Sequence, residues 1–145
     1  MKRYFLLLSI LLTLSAAAQP GTLDVVCYKN GQIWARDRVC TAGKASMLSA
    51  SIDFAGEELT YVSVDVLDKT GNLVPDADPL LSFSIQGPAE IIGTDAGDPT
   101  SHVPFYSKEL PAFHGKASAI IRCTGVGPVT VICTSKGLKT TKITL

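Results

Sequence analysis

Leu59–Gln86 reads "LTYVSVDVLDKTGNLVPDADPLLSFSIQ", and its pattern decides the fold class. Val62, Val64 and Val66 alternate with Ser63 and Asp65. Successive side chains of a strand point to opposite faces, so this alternation describes a strand with one face buried and one wetted. Asp68-Lys69-Thr70-Gly71-Asn72 then supplies turn chemistry, since Gly and Asn tolerate backbone angles that other residues avoid. Leu81, Phe83 and Ile85 alternate in turn with Ser82, Ser84 and Gln86, and Gly87-Pro88 breaks that strand.

The same period extends in both directions. Upstream, Leu48, Ala50 and Ile52 alternate with Ser49, Ser51 and Asp53. Downstream, Ile91-Ile92 marks a short strand. Ala117, Ala119 and Ile121 lead into the Gly125-Val126-Gly127-Pro128 turn, Val129, Val131 and Cys133 return, and Thr140–Leu145 closes the chain. No helical period appears in this region. About seven short strands, each with one apolar face, predict an all-β, immunoglobulin-like β-sandwich over residues 42–145. The antibody Cys…Trp…Cys spacing is missing, because the one Trp, Trp34, precedes the set.

Residues 19–41 read differently. Leu23–Tyr28 and Ile33–Val39 flank Asn30-Gly31, the dipeptide of a type I′ hairpin turn. Thr41–Ala45 is small and polar and reads as a linker. Two strands alone are marginal in water, so the hairpin is expected to need a neighbour. Ahead of it, Met1–Ala18 has the form of a signal peptide. Lys2 and Arg3 form the charged region, Tyr4–Leu14 the apolar one, and Ala16-Ala17-Ala18 precede a cut before Gln19. The expected mature chain is exported, periplasmic or extracellular, with no membrane span after cleavage. No cysteine stands at the cut to carry a lipid.

The 13 basic residues match the 13 acidic ones, and removal of Lys2 and Arg3 leaves 11 against 13, a charge of minus two. With no basic face, nucleic acid is excluded as an expected partner. An oxidising compartment permits disulfides. Cys123 and Cys133 are expected near the facing ends of a hairpin, both pointing inward. They read either as a disulfide or as two small buried thiols. Across a two-residue turn Cys27 would face Trp34, so a Cys27–Cys40 bridge needs a bent or shifted hairpin.

Catalytic motifs are absent from the sequence. His102 and His114, with Asp95 and Asp98, could serve a metal or a general base, but no spacing fixes their geometry, and surface histidines near turns are the preferred reading. Asp76, Asp78, Asp95 and Asp98 lack calcium-loop spacing. Glu57, Glu58, Glu90 and Glu109 lack the surroundings of a glycosidase pair, and there is no Gly-x-Ser-x-Gly. No cofactor is expected. Gly93–Gly115, "GTDAGDPTSHVPFYSKELPAFHG", shows no clear alternation, and loops of that length tend to be functional. Within it Asp95, Asp98, His102, Phe105 and Tyr106 are the candidate contacts for a glycan or a protein partner. Trp34, Tyr28 and Phe113 are further aromatics that more often serve a core or an interface.

Two stretches carry a family resemblance. "GTLDVVCYKNGQIWARDRVCTAGKAS" (Gly21–Ser46) resembles the last hairpin of the penultimate β-sandwich of exported, β-galactosidase-like glycoside hydrolase family 2 enzymes, with the linker that leaves it. Leu59–Ile121 resembles their terminal immunoglobulin-like domain, most specifically at "DKTGNLVPDAD", "GDPTS" and "FHGKA". "VDVLDKTGNLVPDA" is also similar to invasin-type immunoglobulin-like repeats. In the family, catalysis belongs to a (β/α)₈ barrel with two glutamates, and no position here matches them. The resemblance therefore implies a non-catalytic accessory domain, acting structurally, through an interaction, or by weak carbohydrate binding. It fits either a truncated enzyme or a stand-alone module whose hairpin joins a partner sheet or a second copy. The alternative is an exported invasin-like domain for protein contact or adhesion.

Overall fold

The computed structural model describes residues 21–145. The expected signal peptide and its cleavage site lie outside them. The described chain divides into two compact units at Thr41/Ala42.

The first unit is a hairpin of β1 (Thr22–Lys29) and β2 (Gln32–Cys40). Asn30 and Gly31 both have positive φ, 52° and 77°, as a two-residue type I′ turn requires. Past the turn the register shifts. Lys29 pairs with Gln32 and Tyr28 with Ile33, but Cys27 pairs with Ala35, so Trp34 is the extra residue of a bulge. The expectation that Cys27 faces Trp34 is corrected accordingly. Opposed residues share a face. One face carries Leu23, Val25 and Val39, with Asp37 among them; the other carries Asp24 between Arg36 and Arg38. Cys40 pairs with Thr22, far from Cys27, and both thiols are free.

The second unit is a two-layer antiparallel sandwich. Its strands are β3 (Ala45–Ala55), β4 (Leu59–Asp68), β5 (Leu80–Gln86), β6 (Ala89–Asp95), β7 (Glu109–Pro111), β8 (Lys116–Cys123), β9 (Thr130–Ser135) and β10 (Thr141–Thr144). One sheet has the order β3-β4-β8-β6 and the other β10-β9-β5-β7. The alternation read from the sequence is the burial pattern observed. Val62, Val64 and Val66 point inward with Ala117, Ala119 and Ile121, against Leu81, Phe83, Val131 and Cys133 of the facing sheet. Each large apolar side chain so buried stabilises the fold by about 1.5–3 kcal/mol.

Two expectations change. Gly93–Gly115 is not one long loop: β6 runs on to Asp95, and β7 emerges inside it, Leu81 pairing with Leu110. β8 and β9 do not form a hairpin, because they belong to different sheets. Cys123, at the end of β8, is exposed; Cys133 is buried; both are free, so the disulfide reading is corrected. Burial pushes the Cys133 thiol up to about 12.

Asp68 closes β4 and fastens the start of this unit. Its carboxylate accepts hydrogen bonds from Gly43 N (2.8 Å), Thr70 N (2.8 Å), Thr70 Oγ1 (2.7 Å), Asn72 N (3.0 Å) and Asn72 Nδ2 (3.2 Å). The Gly43 amide, then the Thr70 hydroxyl, hold the carboxyl far below the ordinary carboxylate range. The "DKTGN" turn is thus a five-bond node that ties the linker glycine to the end of a core strand.

Candidate functional site

The outer face of the β3-β4-β8-β6 sheet holds the most site-like arrangement of side chains. β4 turns Val62 inward, and its neighbour Tyr61 therefore points outward. Tyr61 pairs with Ile120 on β8, and Ile120 pairs with Gly93 on β6. On β3 a bulge between Ile52 and Phe54 inverts the facing of the strand end, so Phe54 pairs with Tyr61 instead of pointing into the core. Phe54, Tyr61, Ile120 and Gly93 therefore form one row across four strands. The Phe54 and Tyr61 rings lie 5.4 Å apart, tilted by 44°. They are 53% and 41% exposed, where an outward residue of a sandwich strand is ordinarily polar.

At the β6 end the row opens into a mostly apolar hollow of 330 Å³ lined by Ile92, Gly93, Thr94, Asp95, Phe105, Ser118 and Ile120. Gly93 gives it a floor without a side chain. A second bulge, between Ile91 and Gly93, sets Ile92 beside it. Phe105 forms a wall, and its segment is fastened by backbone: Thr94 N donates to Phe105 O (2.7 Å), and the buried Thr94 Oγ1 donates to Ser107 O (2.6 Å).

Polar groups flank the row. Ser63 and Ser118 face each other on β4 and β8, and Asp95 pairs with Ser118. The Ser63 hydroxyl donates to the Asp53 carboxylate, and Asp95 accepts from Ala96 N (2.9 Å). The cations of this face are taken up: Lys116 Nζ lies 2.8 Å from Asp65, and Arg122 Nη1 lies 3.3 Å from Glu90. Among the described residues Asp53 and Asp95 thus keep neutral donors, and Asp95 is the carboxylate that lines the hollow.

Of the residues expected to act together, Asp95 and Phe105 meet at this hollow. Tyr106 and His102 are exposed on the same segment and do not line it. Asp98 is a turn residue: its carboxylate accepts from Thr100 N and Thr100 Oγ1, each at 2.8 Å. Those bonds hold its carboxyl below the ordinary range, with a smaller contribution from the charge of His114, not His102. His114 itself sits at φ 52°, with Nδ1 3.2 Å from Pro75 O and its ring edge-on to Phe113. Among the described residues no three His, Cys, Asp or Glu side chains stand close enough to hold a metal ion. The sequence reading missed Phe54 and Tyr61. Their signal was an aromatic pair flanking the Gly56 turn, and the parity of β3 hid it.

Comparison with known proteins bears on both units. Residues 44–144 match the family described as glycoside hydrolase family 2 C-terminal domain 5. A β-galactosidase of Bacteroides ovatus is 38% identical over 127 residues, 83% of this chain and 15% of that protein. A putative β-glucuronidase of Formosa agariphila is 31% identical over 112 residues, 72% of this chain and 11% of that protein. A β-glycosidase from Bacteroides vulgatus superposes with a TM-score of 0.81 at 25% identity, covering 88% of this chain and 17% of the enzyme. A family 2 glycosyl hydrolase from Bacteroides cellulosilyticus gives 0.78 at 26% identity. The chain thus spans less than a fifth of the length of each of these enzymes.

Proposed function

The chain belongs to the glycoside hydrolase family 2 C-terminal domain 5 family, and on that premise we propose that it is an exported, non-catalytic accessory module of β-glycoside processing. The observation that carries this reading is the extent of the match: what it shares with the named enzymes is a hairpin and one sandwich, about one seventh of the β-galactosidase. The carboxylates elsewhere in the chain agree: Asp68, Asp98 and Asp24 are held below the ordinary range by turn hydrogen bonds or by arginines, an arrangement that stabilises structure instead of passing protons. Mature chain from Gln19 incubated with aryl β-galactoside and aryl β-glucuronide is expected to release no aryl alcohol above the blank. Release at enzyme-like rates overturns the reading.

A second reading, protein contact through the hairpin, is favoured by one observation. Leu23, Val25 and Val39 lie on one face of the hairpin, with Asp37 opposite Val25, and all three apolar side chains are exposed, while Asp24, Arg36 and Arg38 gather on the other face. Such a ribbon is suited to joining another sheet. Size-exclusion chromatography of the mature chain then shows self-association that deletion of residues 19–39 abolishes. A monomer in both forms rejects it.

A further inference from the structure

We propose that the Phe54–Tyr61–Ile120 row and the hollow over Gly93 form a binding platform for neutral β-linked pyranose chains. This rests on the non-catalytic reading above and assigns that module a ligand class and a place. It differs from contact through the 93–115 segment as a whole, because it keeps only the strand end Gly93–Asp95 and Phe105 of that segment and puts the binding surface on the sheet.

Three observations point to a sugar chain. The first is the pairing of surfaces. A pyranose presents an apolar C–H face and a rim of hydroxyls. The platform presents two exposed rings and Ile120 along one line, with Ser63 and Ser118 two residues further along their strands on the same face, Asp95 opposite Ser118, and the Asp53 carboxylate bonded to the Ser63 hydroxyl. Apolar area fixes such a ligand, and the few polar groups orient it. The second is length. The row crosses four strands at about 4.8 Å spacing, about 15 Å in all, and accommodates roughly three linked rings. The hollow at its end, 330 Å³, lies at the lower end of small-molecule sites, which run to about 300–1,000 Å³. The third is charge. Lys116 and Arg122 are engaged by Asp65 and Glu90, whereas Asp53 and Asp95 face the ligand as acceptors. Acceptor carboxylates suit hydroxyl donors and repel a uronate, so the chain must be neutral.

The test is isothermal titration of the mature chain with cellotetraose and with β-1,4-galactotetraose, with the acidic β-1,4-tetramannuronate as the charged comparison. One or both neutral tetrasaccharides are expected to bind, and the acidic one is not. Tyr61→Ala, at an exposed position, is expected to weaken binding tenfold or more. Gly93→Val tests the hollow separately. A Cβ there meets Phe105 O at 3.7 Å and Ile120 Cδ1 at 3.9 Å, ordinary contact, so the position admits the first carbon of a side chain. A circular-dichroism melt confirms that each variant is folded. No heat with either neutral sugar at millimolar concentration overturns the platform. So does equal binding of the acidic sugar, or neutral binding that neither Tyr61→Ala nor Gly93→Val changes. Hydrolysis of a tetrasaccharide during titration defeats the non-catalytic reading instead, and is read independently as free reducing ends.

Discussion

The two units use the same kind of strand to opposite effect. Val62, Val64 and Val66 on β4 are completely buried, while Leu23, Val25 and Val39 on the hairpin, with much the same hydropathy, are exposed. The difference is the number of layers. In the sandwich the inward face of β4 meets Leu81, Phe83, Val131 and Cys133 across the interior, and each side chain is stripped of water. A two-stranded ribbon has one layer, so its apolar face has no second sheet of its own to close on it. Alternation in a sequence therefore specifies a face, and only a second layer turns that face into a core.

Three residue types occur in both settings, and a comparison within each can break or sharpen this contrast. The largest separation is expected for the cysteines. At pH 8 a thiol at about 12 is ionised in about one molecule in 10⁴, so buried Cys133 should resist alkylation until unfolding. Exposed Cys27 and Cys123 should react promptly with iodoacetamide. Mass spectrometry of the native and urea-unfolded chain counts them, and a Cys133 label as fast as the Cys123 label would show that the core is not closed. Next come the leucines. Leu81→Ala, at a fully buried position, should destabilise the sandwich by about 2–5 kcal/mol. Leu23→Ala, on the exposed hairpin face, should leave sandwich unfolding within about 0.5 kcal/mol. Urea melts of both variants check this, and equal losses would mean that the hairpin face is packed in solution.

The aspartates give the smallest and most specific effect. Asp68 and Asp24 are both held ionised, Asp68 by the Gly43, Thr70 and Asn72 donors and Asp24 by Arg36 and Arg38. A carboxyl whose folded pKa is depressed binds fewer protons folded than unfolded. Its stabilisation is complete above the unfolded value of about 3.9 and is lost as pH falls below it. The melting temperature should therefore fall as pH drops from 5 to 2. Asp68→Asn should lower it at pH 7 and flatten the acid limb, with Asp98 supplying part of the slope that remains. Asp24→Asn should change neither, since the exposed Arg36 and Arg38 pairs are solvated. An acid limb unchanged in Asp68→Asn would remove the node from any role in stability.

The fold was legible where the signal was local. Period-two alternation marked β4, β5, β8 and β9 with the correct inward residues, and Asn30-Gly31 and Asp68–Asn72 marked their turns. Legibility failed where pairing was non-local. Cys123 and Cys133 looked like hairpin neighbours because only nine residues separate them, yet the chain between them passes from one sheet to the other. β7 escaped notice because three residues carry too little alternation to stand out; pairing with Leu80–Ser82 makes it a strand. The candidate site was only half readable. Asp95 and Phe105 were named for lying in an irregular stretch, whereas Phe54 was hidden, since parity from Leu48, Ala50 and Ile52 points it inward until the bulge turns it out.

The sequence by itself determined the class of the fold, the turn positions and the inward faces of β4, β5, β8 and β9, because these follow from the two-residue repeat and from backbone angles that Gly and Asn accept. Only the tertiary structure decided which strands share a sheet, which thiols lie apart, and that Phe54, Tyr61, Ile120 and Gly93 stand in one row. Those outcomes depend on register between segments distant in the chain, and a single bulged residue inverts every facing beyond it.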